Sequence, residues 1–240
     1  MLNRIAFGIV ALLGLTVVAA AAIPGPQRAL CPTCFGMSEI ADNIYLDTSD
    51  EKVRNSLLAD IQTAQKAVEN YLGSYNATPR ILFCTREDGA CLKLFGDKGT
   101  IGISWGKALV RLNPEGLNTT IMTHELLHTE LALRMGQFGM WNNVIPKWFN
   151  EGLATYVSGD DRFAYDYSDD EKAWARNILS YHDWKREVNE NTWPQAYGAS
   201  AQMVRDIEQD VGQDGIRELI RRVTEAGEPF EVVLKELTSH

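Results

Sequence analysis

Two imidazoles and two carboxylates stand at spacings suited to one metal ion. His124-Glu125-Leu126-Leu127-His128 lies within TTIMTHELLHTELALRM, residues 119–135, which reads as one helix. Side chains four apart on a helix share a face, with Cβ atoms about 5–6 Å apart. His124 and His128 can therefore reach one ion, since a Zn–N bond is about 2.0–2.1 Å. Glu125 follows the first histidine and falls beside the ion rather than on it, where a carboxylate can act as a base. Ile121, Met122, Leu126, Leu127, Leu131 and Leu133 give the helix apolar surface to bury.

A second stretch, PKWFNEGLATY at residues 146–156, offers a third ligand. Proline suits the first turn of a helix. Trp148, Phe149, Leu153, Tyr156 and Val157 mark a buried face, and Glu151 is the one acid of the stretch. Between His128 and Glu151 lie 22 residues. Catalytic zinc takes three protein ligands and keeps a fourth position open for water, and two His with one Glu is such a set.

HELLH followed by W-F-N-E-G-L-A resembles the gluzincin metallopeptidases, the clan of thermolysin and the M1 aminopeptidases. The spacing between the motifs is a few residues longer than in those two families, and is closer to the small peptidase MA-like domains. The resemblance covers about residues 109–204. Residue by residue, it implies His124, His128 and Glu151 as ligands of one Zn²⁺ and Glu125 as the general base. Thermolysin-like enzymes carry an acid one turn after the ligand Glu, supporting a ligand His. Thr155 stands at that place here, so the groups that orient the ligands must differ. Tyr197-Gly198-Ala199-Ser200-Ala201 resembles the Tyr-x-x-Ser stretch of MA-like peptidases, which makes Tyr197 a candidate oxyanion donor. His182 is the alternative, because gluzincins use a His or Tyr from a later helix. Each also has a bland reading, Tyr197 as a packing residue and His182 as a surface or capping one.

The chain is an ordinary globular one of 240 residues, long enough for one large domain or two small ones. Its net charge of −9 argues against a nucleic-acid partner, whose footprint would be basic. Residues 5–23 form a run of 19 without charge, preceded by Arg4. The run fits a signal peptide with Ala20-Ala21-Ala22 as its cleavage site, or an uncleaved membrane anchor. Either reading exports the rest, to a bacterial periplasm or the outer face of a membrane. Arg28-Ala29-Leu30 before Cys31 lacks the small residue that a lipoprotein signal needs.

Four cysteines, Cys31, Cys34, Cys84 and Cys91, suit disulfides in an exported chain. Proximity favours Cys31–Cys34 and Cys84–Cys91, although three connectivities exist. Phe35 after Cys31-Pro-Thr-Cys34 excludes a c-type haem site, and no thioredoxin-like strand precedes the pair.

The elements that must position these groups follow from periodicity. Residues 24–37 read as a linker and residues 38–240 as one domain, with a sheet-containing lobe over 38–135 and a helical lobe over 136–240. Strands are expected at residues 44–46, 80–84, 100–105 and 107–112. A helix over 48–71 has Thr48 and Glu51 as a capping box, with Val53, Leu57, Ile61, Ala64 and Val68 on one face. A short helix is expected over 87–95. Residues 136–145 connect the two metal helices. Residues 159–170 hold five Asp without a calcium-loop pattern and suit a solvated loop or a substrate-facing flap. Ser168 and Glu171 cap a helix over 169–181. Further helices are expected over 193–211, 215–226 and 229–237.

The fold class expected is therefore α+β: a thermolysin-like zincin with a small mixed sheet packed on the HExxH helix and a helical C-terminal lobe. The activity implied is zinc-dependent hydrolysis of a peptide or protein. No carboxylate pair marks a pocket for an N-terminal amine, so aminopeptidase specificity is not implied. Two other classes compete: a zinc-containing binding or assembly module that cleaves nothing, and an anchored structural protein in which HELLH is accidental. A purely structural zinc site would close its fourth position with another ligand, and no His or Cys lies near the motifs to do so.

Overall fold

Alternating apolar residues build a sheet that is covered on both faces. The computed structural model describes residues 29–87, 89, 91, 92, 100–136, 139 and 142–239. Strands β1 (Ser38–Ala41), β2 (Ile44–Leu46), β3 (Arg80–Phe83), β4 (Gly102–Trp105) and β5 (Leu109–Leu112) form one sheet in the order β1-β2-β3-β5-β4. β2, β3 and β5 run parallel, while β1 and β4 run antiparallel to their neighbours. Ile44, Leu46, Ile81, Phe83, Val110 and Leu112 face the main core. Their alternates Tyr45, Leu82 and Leu109 face a second cluster with Ala29, Met37, Cys84, Cys91 and Leu92. Central strands buried on both faces need no polar alternation, and the inner residues of β3 and all of β5 are buried.

Seven α-helices lie among the described residues: α1 (Glu51–Leu72), α2 (Thr119–Met135), α3 (Lys147–Ser158), α4 (Asp169–Arg176), α5 (Tyr181–Glu187), α6 (Trp193–Glu225) and α7 (Phe230–Leu237). The class is mixed α+β, as expected. α1 lays Leu57, Ile61, Ala64 and Val68 on the core. β5 leads through a 3-10 turn at Pro114–Gly116 into α2, whose Asn118 cap accepts from the Ile121 amide at 3.0 Å. α3 packs on α2 and α6, and Trp148, Phe149 and the Phe230 ring of α7 meet edge to face at 4.9–5.9 Å. Burying side chains of this size contributes about 1.5–3 kcal/mol each.

Several boundaries differ from expectation. Asp50, not Thr48, caps α1, accepting from the Lys52 and Val53 amides, and the Thr48 hydroxyl accepts from Asp50 instead. A carboxylate at the helix start meets the amide dipoles better than a hydroxyl does. The helix expected over 169–181 ends early, at Arg176 with Asn177 as its cap, and α5, which was not expected, begins at Tyr181 under a Ser180–Asp183 capping box. α6 bends at Gly212, with φ 74° and ψ 169°, so the two helices expected there abut. β1 was not anticipated, and Ala29 and Met37, from the segment expected as linker, are built into the second cluster. Both expected disulfides are formed, and two disulfides are consistent with export. Residues 5–23, and most of the helix expected over 87–95, lie outside the described residues. Among the described residues no helix is long and apolar enough to cross a membrane.

The back of α2 makes stability sensitive to alkali. Tyr75 sets its phenol against Thr129, 3.4 Å away, and burial pushes its pKa up to about 12. The unfolded value is about 10, so the folded chain holds the proton more tightly. This stabilisation is complete below about pH 10 and is lost as pH rises toward about 12. Urea unfolding at several alkaline pH values should show stability falling across that window, with Tyr75→Phe showing a shallower fall. Equal slopes would remove Tyr75 as a cause.

Candidate metal centre

α2 projects His124 and His128 from one face toward α3. The rings stand edge to face, 4.7 Å between centroids, with their Nε2 atoms 3.0 Å apart. Glu151, on the first turns of α3, completes the group. Its Oε2 lies 3.3 Å from each Nε2. Among the described residues this is the group of three ligating side chains that could hold a metal ion. The separations fit the chemistry, since tetrahedral zinc with bonds of about 2.0–2.1 Å holds neighbouring donors about 3.3 Å apart. Oε2 is also buried without a hydrogen-bond partner among the described residues. A buried carboxylate oxygen left that way is costly, and a cation between the three atoms would satisfy it.

Two of the three donors, His128 and Glu151, are held by a neighbour. Nδ1 of His128 donates to Oδ1 of Asn150 at 2.5 Å, which leaves the lone pair on Nε2 facing the group. Asn150 precedes Glu151 on α3, so one helix turn supplies a candidate ligand and the group that orients another. Thr155, where the resemblance implies an acid, is buried with its hydroxyl unpartnered among the described residues. Asn150 thus does for His128 what an acid one turn later would do for a ligand His. On its other oxygen, Glu151 pairs with Lys147, one turn earlier. Burial alone would raise the Glu151 carboxyl. The Lys147 ammonium and His128 outweigh it and hold the carboxyl well below its usual range.

Glu125 sits beside the group rather than in it. Burial pushes its pKa up to about 7, against the pull of His124 and a hydrogen bond from Ser104 of β4. The approach of β4 requires glycine at 102, since a Cβ there would fall 2.8 Å from Glu125 Oε1. Tyr197, in the first turns of α6, places its ring 5.9 Å from that of His124. Burial first, then Glu151 and Glu125, raises its pKa well above the ordinary value, so the phenol stays protonated. Phe163, Trp184 and Trp193 surround it at 4.9–6.4 Å between ring centroids. His182 is exposed on α5 and is not brought into the group.

Comparison with protein-family models, with curated proteins and with solved structures finds no match.

Sequence reasoning missed Asn150, Lys147 and Ser104. Lys147 carried a usable signal, a Lys four residues before an acid on one helix. Ser104 carried none, because its role depends on how β4 docks against α2.

The geometry of α3 yields two predictions. Asn150→Ala should weaken metal binding about 10–100-fold, measured by competition with a chromophoric chelator, while far-ultraviolet circular dichroism stays unchanged. Undiminished affinity would deny Asn150 its orienting role. Gly152 meets α6 so closely that a Cβ would fall 2.4 Å from the Ser200 carbonyl oxygen. Gly152→Ala should therefore cost about 1–3 kcal/mol by forcing the helices apart. A melting temperature equal to wild type would show that α3 and α6 can separate freely.

Proposed function

We propose that this chain is an exported zinc-dependent hydrolase of gluzincin type and that it cleaves peptide bonds. The observation that carries the reading is the convergence of His124, His128 and Glu151 at tetrahedral spacing, with the buried Glu125 next to them. The fold that would follow is a thermolysin-like zincin: a mixed sheet on the HExxH helix, with α4 to α7 closing the far side. Residues 5–23 supply the export signal or anchor, and the disulfides suit a periplasmic or extracellular destination.

His124, His128 and Glu151 would hold the ion. Zinc held there would supply a water of pKa about 7 and would polarise a substrate carbonyl. Glu125 accepts a proton from the attacking water and returns it to the leaving amine. Its place beside the three candidate ligands puts it within reach of both halves of that transfer. The Tyr197 phenol, kept protonated by its surroundings, donates to the developing oxyanion. β4 lies at the sheet edge and carries Ser104 against Glu125. An extended peptide adding to that edge by backbone hydrogen bonds would lie across the reacting groups. A zinc module that cleaves nothing would have no use for a buried base at this place.

Metal content and turnover together test the reading. Purified without chelator, the wild type should hold about one zinc per chain, and Glu151→Ala should lose it. Glu125→Gln should keep the zinc but lower peptide cleavage about 100- to 10,000-fold, followed on a peptide library by mass spectrometry. A wild type that takes up no zinc after resupply would end the metal reading. Full cleavage by Glu125→Gln would end the mechanism alone, and zinc without any cleavage would favour the binding module.

A further inference from the structure

We propose that Lys147 is a positioning residue that divides the Glu151 carboxylate, holding Oε1 so that only Oε2 is offered to the metal. The proposal rests on the zinc reading above. The two oxygens of Glu151 have different partners: Oε2 lies 3.3 Å from both imidazole nitrogens, while Oε1 pairs with the Lys147 ammonium. A pair four residues apart on a helix is usually an exposed and loosely held one. This pair is enclosed, with the Glu151 side chain 6% and the Lys147 side chain 23% exposed.

The ammonium is fixed from the far side as well. It lies 5.5 Å from the ring centre of Trp184 and 5.9 Å from that of Tyr181, both on α5. Such distances are those of a cation over aromatic faces. The backbone of the same segment grips the start of α3, where the Lys147 and Trp148 amides donate to the carbonyls of Leu179 and Ile178, each at 2.9 Å. Helix-start amides have no partner within their own helix. The segment from 178 to 184 thus satisfies them and brackets the Lys147 side chain in one arrangement. Trp184 also meets the Tyr197 ring at 4.9 Å, so the bracket touches that residue too.

The functional consequence concerns the number of ligands. A carboxylate with both oxygens free can chelate, filling the position that a hydrolytic metal must keep open for water. With Oε1 held by an ammonium, chelation requires breaking the pair. Lys147 therefore preserves a one-oxygen ligand and the open position beside it.

The test loads the full chain with cobalt(II), whose visible absorption is strong at four-coordinate sites and intermediate at five-coordinate ones. Lys147→Met is compared with wild type, with Lys147→Gln beside it and Lys147→Arg as the conservative variant. Circular dichroism identifies the folded chains, and Lys147→Gln serves if the Met variant does not fold. The expected result is a weaker, five-coordinate-type spectrum, or loss of the ion, in the neutral variants, with recovery toward wild type in Lys147→Arg. On a quenched fluorescent peptide that the wild type cleaves, kcat should fall about 10–100-fold with KM little changed. A wild-type spectrum and stoichiometry in the neutral variants would overturn the proposal while leaving the metal centre intact. An unchanged spectrum with a raised KM would overturn it too, and would give Lys147 to substrate binding. A wild type that binds neither cobalt nor zinc would instead remove the metal reading, and this proposal with it.

Discussion

A buried carboxylate set between two imidazoles is the constraint on which the rest of the structure depends. Glu151 is 4% exposed, and placing an acid there is unfavourable unless positive charge or a metal meets it. One oxygen is met by Lys147, and the other faces His124 and His128. This arrangement holds only if α2 and α3 keep their separation and each keeps its rotation about its own axis. The close approach of Gly152 to Ser200 sets the seating of α3 on α6, and Trp148 and Phe149 against Phe230 prevent its withdrawal. The site is thus a property of three helices rather than of one motif.

The sheet contributes by being anchored on its back. The Cys84–Cys91 disulfide, both sulfurs buried, ties the chain after β3 into the second cluster. That leaves the opposite face and the β4 edge for α2. β5 delivers the chain into α2 with only a 3-10 turn between them, so the ligand helix starts at a fixed point on the sheet. Gly102 then lets β4 approach Glu125, so Glu125 is held by the sheet while the candidate ligands are held by the helices. Groups that must act together are fixed from independent directions, which is how a site keeps its geometry under thermal motion.

What was legible in the sequence was what is local. The spacing of His124 and His128 is fixed by the helical repeat alone, and the parallel core strands announced themselves as short apolar runs. Glu151 was legible as the lone acid on the second helix, and the Ser168–Glu171 capping box formed as its pattern implied. Competition between neighbours was harder to read. Thr48 and Asp50 both suit a helix cap, and Asp50 prevailed because its carboxylate reaches two amides. α4 stopped at Arg176, and a further helix began after Ser180, capped through an Asp three residues on rather than a Glu. β1 escaped notice because its residues are mostly exposed and its pairing with β2 carries a bulge, so no alternation marks it. Asn150 and Ser104 depend on contacts between elements, which no spacing within one element encodes.

The same limit explains how α2 finds its rotation. The helix is buried nearly all round, so apolar preference gives little reason to turn one face rather than another toward α3. Polar groups supply the direction. Glu130 lies about 200° around the helix from His128, and it is 1% exposed. Its carboxylate accepts from the amides of Asn76 and Ala77 at 2.7 and 2.9 Å and from Arg134 at 3.0 Å. Turning α2 by one residue would strip those bonds from a buried acid, an expensive change. Thr129, with Tyr75 against it, marks the same side. The face turned away from α3 therefore aims the face that carries His124 and His128. A HELLH motif in an equally apolar helix without Glu130 would have its ligands but no reason to point both at Glu151.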